Sequence, residues 1–163
     1  MADFSNNTLH IRTIDHQTAE YWSMVLLRDQ VLRRPLGLQF TPEQLADEAE
    51  QYLVVAYDSV GNLVACLILK KSDDPNSLQM RQVAVAPHCQ QQGIGKQLIL
   101  WVEKWCEPQT YNHIYCHARA AARPFYEQLG YNVVGEPFTA VGIDHYYMEK
   151  QLKPFFLPSL SFQ

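Results

Sequence analysis

The chain has 163 residues, enough for one domain that buries about 70% of the surface its unfolded form exposes. Apolar residues make up 47%, charged residues 18%, and the formal net charge is -4, which excludes a disordered chain and a general polyanion binder such as a nucleic-acid coat. Cys66, Cys89, Cys106 and Cys116 form neither a C-x-x-C pair nor a zinc-type spacing, so they read as buried thiols in a reducing compartment, with no metal expected.

Leu9 to Ile14 alternates and predicts a first strand, followed by a helix from Ala19 to Leu32 that must stop before Pro35. Thr41-Pro42-Glu43-Gln44 announces a second helix to about Gln51: Thr41 can cap, Pro42 suits the first turn and Gln44 completes a capping box. Tyr52 to Tyr57 and Leu63 to Leu69 are strand-like runs joined by a turn of hairpin length, and Leu78 to Val85 is a third strand ending at Pro87. From Gly93, Ile94, Leu98, Trp101, Val102 and Trp105 recur at helical spacing through Cys106. A strand from His113 to Ala118 follows, then a helix from Ala120 to Leu129 closed by Gly130. Two last strands, Tyr131 to Glu136 and His145 to Gln151, are joined by a loop containing Gly142. This order predicts an α/β (α+β) domain over residues 1–153, with a mixed, mostly antiparallel sheet flanked by about four helices. Residues 154–163 form an apolar tail expected to pack on the body or on a partner, including a second copy as a homodimer. Neither a signal sequence nor an apolar run of the ~20 residues a membrane span requires is visible, so a cytoplasmic protein with no membrane partner is expected.

The stretch Gln90-Gln91-Gln92-Gly93-Ile94-Gly95 lies between a strand and a helix. The first turn of a helix carries unpaired N–H groups and a favourable dipole, so a glycine loop there can hold phosphate through its backbone. It lacks the third glycine of a dinucleotide fingerprint, and nothing spells G-x-x-x-x-G-K-[ST], which disfavours NAD and P-loop nucleotides. By itself the Gly-x-Gly is equally compatible with a plain turn.

Gln90-x-x-Gly93-x-Gly95 after Val83-Ala84-Val85-Ala86-Pro87 resembles the acyl-CoA loop of the GNAT superfamily of N-acetyltransferases. Ala122-Arg123-Pro124-Phe125-Tyr126-Glu127-Gln128-Leu129-Gly130-Tyr131 is similar to that superfamily's later helix, in the expected order. Leu26 to Leu38 and Gly142 to Met148 resemble a subgroup that includes ElaA-like predicted acyltransferases. The loop departs from the usual pattern in carrying Gln90 where many relatives have arginine, and Arg119 stands where asparagine is common.

The resemblance implies a GNAT-like fold, acetyl-CoA as acyl-donor substrate and an amine acceptor. The implied cofactor contacts are Val83, Ala84, Val85, Gln90, Gln91, Gln92, Gly93, Ile94, Gly95, Lys96, Arg119 and Tyr126, with an N–H near Val85 facing the thioester oxygen. Tyr126 is the implied general acid. Relatives often carry a glutamate base on the strand before the loop, but Leu78 to Val85 contains no carboxylate. Glu136, Asp144, His145 and His117 are candidate bases, of which His145 has the most suitable intrinsic pKa; a water chain would serve as well. Arg28, Arg33 and Arg34 are candidates to guide an anionic acceptor over Leu36 and Leu38, or else form a solvated helix face. Arg81 and Arg119 are candidates to line the cleft or to pair with Glu127 or Glu136. A catalytically silent acyl-CoA-binding module is the alternative to an N-acetyltransferase.

Overall fold

A computed structural model describes residues 8–153, so the apolar tail falls outside the described residues. Strand β1 (His10–Ile14) pairs antiparallel with β2 (Tyr52–Tyr57), β2 with β3 (Leu63–Lys71) and β3 with β4 (Ser77–Val85). β4 then pairs in parallel with β5 (His113–Arg119), and β5 pairs antiparallel with β8 (Ile143–Gln151), which also carries the short strands β6 (Asn132–Val133) and β7 (Phe138–Ala140). The sheet therefore runs β1-β2-β3-β4-β5-β8-β6, mixed and mostly antiparallel, as expected. Leu53 to Ala56 and Val64 to Leu69 are buried without alternation, which means that both faces of the central strands are covered. Helix α1 (Ala19–Arg28) and helix α3 (Ile94–Cys106) pack on β3 and β4, and α4 (Arg123–Gln128) packs on β5. All four cysteines are buried and free. Among the described residues no helix is long and apolar enough to cross a membrane.

Local signals explain most boundaries. Thr18 caps α1 by accepting from the Tyr21 N–H, and Thr41 and Gln44 form both bonds of the capping box of α2 (Pro42–Asp47), at 3.2 and 3.0 Å. The predicted extension of the first helix to Leu32 is corrected. The α-helix ends at Arg28, a π turn covers Asp29–Arg33, and a 3-10 turn over Arg34–Leu36 ends at Gly37 with φ 68°. Pro35 has no N–H to continue the ladder, and Gly37 closes the segment in the left-handed conformation. The second and fourth helices likewise end or begin in 3-10 turns, at Glu48–Glu50 and Ala120–Ala122.

The last part of the sheet differs most from expectation. The predicted strand from Tyr131 to Glu136 shrinks to Asn132–Val133, and β7, which was not predicted, forms a hairpin with β8. Its two-residue turn is Val141-Gly142, with φ 48° and 73°, the conformation that favours Asn-Gly or Asp-Gly. A β-branched residue with positive φ is strained, and Val141 is 55% exposed, so little packing offsets that strain. Val141→Asn should therefore raise stability by about 1 kcal/mol, read as a higher midpoint in urea unfolding; an unchanged or lower midpoint would show that the turn is not strained.

One ion pair sits in the core. The Arg28 guanidinium is fully buried and donates to both Glu48 oxygens at 2.7 and 2.8 Å, while the Tyr21 hydroxyl donates to Glu48 Oε1 at 2.7 Å. Arg28 Nη1 also donates to Gln82 Oε1 at 2.9 Å. Gln82 has φ 52° and marks a β-bulge, because β4 uses three steps from Arg81 to Ala84 where β3 uses two from Ile68 to Cys66. The ion pair thus ties α1 and the end of the α2 segment to the one distorted point of β4.

Candidate active site

The bulge lies where β4 and β5 separate. Their pairing covers only Ser77 to Met80 against His113 to Cys116. Beyond it, β4 continues along β3 as far as Val85, and β5 continues along β8 as far as Arg119. The central sheet therefore opens into a V whose walls are Arg81–Val85 and His117–Arg119. Two cavities occupy this opening, and Val83 lines both.

The first cavity, about 390 Å³, is a cradle formed by Val83, Val85, the loop from Cys89 to Lys96, and Phe125, Gln128 and Leu129. Gln91 and Gly93 have φ 62° and 80°, and α3 starts directly after Gly93. Left-handed residues alternating with ordinary ones turn successive N–H groups toward a common point, and the first-turn amides of Ile94, Gly95 and Lys96 add to them. The glutamines brace this loop: Gln90 Nε2 donates to the Val85 carbonyl and Gln92 Nε2 to the His88 carbonyl, both at 3.2 Å. A Cβ on Gly95 would lie 3.4 Å from Phe125 and 3.6 Å from Val85, within the space the cradle encloses. Backbone dipoles supply most of the cradle's attraction for an anion, with Lys96 as its only lining cation among the described residues.

The second cavity, about 450 Å³, is a cleft between the π-turn segment, the two diverging strands and the β7–β8 turn. Leu32, Leu36 and Leu38 supply its apolar wall, and Tyr126, His117, His145, Arg33, Arg81 and Arg119 its polar groups. Tyr126 is 7% exposed, and burial holds its phenol well above the ordinary value near ~10, so it keeps its proton in neutral solution. His145 is also buried; its ring stacks on Phe138 at 5.7 Å, and Nδ1 lies 2.8 Å from the Ile143 carbonyl oxygen. A carbonyl can only accept, so Nδ1 carries the proton and Nε2 of the neutral ring keeps a free lone pair. His117 is held below its ordinary value by burial, by His145 and by Arg81.

The site residues expected from sequence are distributed as follows. Val83, Val85, Gln90, Gln91, Gly93, Ile94, Gly95 and Lys96 line the cradle. Ala84 is buried and Gln92 braces the loop from behind. Arg119 lines the cleft and not the cradle, and its guanidinium donates to the Leu32 carbonyl at 3.1 Å. Tyr126 and His145 both line the cleft, whereas Glu136 and Asp144 are exposed and line neither cavity. The exposure of Glu136 follows from the truncation of β6, which leaves it in the connection to β7. Arg34 is exposed and pairs with Asp29, and Glu127 pairs with Arg123. Sequence reasoning missed Phe125 in the cradle and Val141 in the cleft. Phe125 stands inside the helix motif next to Tyr126, which is the signal that could have found it.

Comparison with known proteins agrees with this geometry. The described fold superimposes on a Lactobacillus plantarum protein provisionally named as an N-acetyltransferase, with TM-score 0.79 and 24% identity, covering 90% of this chain and 100% of that one. Escherichia coli ElaA gives TM-score 0.73 at 19% identity, covering 88% and 100%. A GNAT family acetyltransferase of Elizabethkingia anophelis, solved with acetyl-CoA bound, gives 0.67 at 18% identity, covering 88% and 98%. A Bacillus subtilis (strain 168) protein provisionally named as an acetyltransferase is 29% identical over 73 residues, 45% of this chain, so the match spans about half the length of that curated relative, 50%. Residues 27–152 match the sequence profile of the acetyltransferase (GNAT) domain, an interval that holds both cavities and the separated strands, and the chain belongs to the GNAT family of acetyltransferases.

Proposed function

We propose that the protein transfers the acetyl group of acetyl-CoA directly to a primary amine. The observation that carries this reading is the adjacency of the two cavities at Val83, a phosphate cradle on one side and a cleft with an acid and a base on the other. In this reading the pyrophosphate lies on the amides of Gln91 to Lys96, and the pantetheine arm runs along the free edge of Val83 to Val85 as an added strand. The thioester then reaches the cleft beside Tyr126.

The reaction follows from the groups there. The lone pair of a neutral amine attacks the thioester carbonyl carbon, forming the C–N bond, with a backbone N–H near Val85 facing the oxyanion. The amine proton passes to His145 Nε2, the C–S bond breaks, and the departing thiolate takes the Tyr126 proton. An amide and free CoA thiol leave, and solvent restores both side chains. His117 is a neutral neighbour whose lowered pKa keeps it from competing with the amine for positive charge at neutral pH.

The test is release of CoA thiol across a panel of primary amines, preceded by calorimetric titration with acetyl-CoA. Amine-dependent release above the buffer rate is expected; binding without release from any amine would favour the silent acyl-CoA module, and no binding at millimolar ligand would sink both readings. The cradle has its own check. Gly93→Val forces a β-branched residue to φ 80°, at a cost of about 1–3 kcal/mol, and shifts the loop amides. Its acetyl-CoA affinity should fall at least about tenfold, whereas Gln91→Ala, which leaves the backbone amide in place, should stay within about twofold of native. The reverse order would mean that side chains, not amides, hold the anion.

A further inference from the structure

The charges in the cleft are one-sided. Arg33, Arg81 and Arg119 enter it from three separate walls: the π turn after α1, β4 just past the last residue paired to β5, and the end of β5. Among the described residues no Asp or Glu lines the cleft. Among the described residues none of the three arginines has a carboxylate partner, although Arg12, Arg28, Arg34 and Arg123 each do. In a chain of net charge -4 this is a deliberate concentration of positive charge.

Two of the three guanidiniums are also held in place. Arg33 lies over the Phe40 ring with Cζ 4.5 Å from the centroid, and Arg119 spends one donor on the Leu32 carbonyl, which leaves its remaining N–H groups for the cleft. Arg33 senses the other two: it is held below its ordinary value by burial and by the positive charges of Arg28, Arg81 and Arg119. Arg28 is neutralised by Glu48, so the repulsion that remains comes from the cleft itself. Repelling, half-buried guanidiniums with free donors are relieved by an oxyanion that can accept two parallel bonds. A polycation would meet the opposite situation, since it would add charge to a cleft that has no acceptor for it.

Resting on the acetyl-transfer reading of the same site, we infer that the acceptor is a small amine that also carries an oxyanion, a carboxylate or a phosphate, and that Arg33, Arg81 and Arg119 bind that group. The apolar wall of Leu32, Leu36 and Leu38 then takes the carbon skeleton between the anion and the amine. The cleft volume of about 450 Å³ suits a molecule of that class.

Matched amines test this. Thiol release is measured with β-alanine against β-alaninamide, with phosphoethanolamine against ethanolamine, and with putrescine as a dication. At least one anionic member should exceed its neutral partner by tenfold or more in kcat/KM, putrescine should be poorest, and the better of the two anions identifies carboxylate or phosphate. Arg33→Gln and Arg81→Gln should each raise KM for the preferred amine at least tenfold while acetyl-CoA affinity by calorimetry stays native, which also shows that the variants fold. Binding read without turnover closes the remaining gap: with CoA present, N-acetyl-β-alanine or N-acetylphosphoethanolamine should raise the melting temperature of native protein and not of Arg33→Gln. Equal or better turnover of neutral amines or putrescine, or a melting shift unaffected by Arg33→Gln, would overturn the anionic acceptor and leave the acetyl-transfer reading standing. Loss of acetyl-CoA binding by the native protein would instead remove the reading on which it rests.

Discussion

Glu48→Ala should destabilise the protein by about 3–5 kcal/mol, a large share of the stability of a single domain. Glu48 is 2% exposed and accepts three hydrogen bonds shorter than 2.9 Å, two from Arg28 and one from Tyr21. Truncation leaves a fully buried guanidinium with the Gln82 amide oxygen and the Phe40 ring, whose centroid lies 5.0 Å from Arg28 Cζ, as its nearest compensation. It also leaves the Tyr21 hydroxyl without its strongest acceptor. Arg28 Nε already lacks a partner, so no reserve of hydrogen bonding is available on that side. The double variant Arg28→Met, Glu48→Leu should cost less than Glu48→Ala alone, because it removes both charges together instead of stranding one. Urea unfolding of the three proteins reads these differences directly. A loss below about 1 kcal/mol for Glu48→Ala would mean that water reaches Arg28 and that the pair is not a core element.

Tyr126→Phe should lower kcat by at least about 100-fold while leaving acetyl-CoA affinity nearly unchanged, since the ring stays and only the donated proton is lost. The sign of the phenol's shift adds a second readout. Burial raises its pKa, so the protonated, donating form persists as pH rises, and deprotonation of Tyr126 should not reduce the native rate anywhere below about pH 10. A native alkaline decline near pH 8 to 9 that vanishes in Tyr126→Phe would contradict this environment. Equal rates for the two proteins would take the acid role away from Tyr126 and leave protonation of the thiolate to solvent.

Local chemistry made much of the fold legible. The capping box at Thr41 to Gln44, the hairpin spacing between Tyr57 and Leu63, and the apolar rhythm of Ile94 to Cys106 each act within a few residues, and each element stands where its signal predicts. The loop at Gln90 to Gly95 was legible for the same reason, because a glycine in left-handed conformation ahead of an amphipathic helix is a local device. Features decided by distant partners were not. Gln82 has no residue signal for a bulge; its conformation answers to Arg28, 54 positions away. Arg28 and Glu48 look like ordinary helix-surface charges until the fold brings them together in the core. The β7–β8 turn was hidden because Val141 is the wrong residue type for its own backbone. Of the cleft, Leu36, Leu38, Arg81 and Arg119 were foreseeable candidates, but the separation of Arg33 from Arg28 and Arg34 required the π turn, which sends three nearby arginines into three different surroundings.

The four-residue seam between β4 and β5 has a further consequence for solubility. Most sheets have two edges, and this one has four, because the V exposes an inner margin on each strand beyond Met80 and Cys116. Unpaired margins are templates for strand addition by other chains and hence for aggregation. Here the inner margins carry Arg81 and Arg119, and the β7–β8 hairpin stands over the opening. Positive charge on both inner margins disfavours addition of a foreign strand, so the arginines proposed to bind the acceptor would also protect the molecule from polymerising through its own cleft.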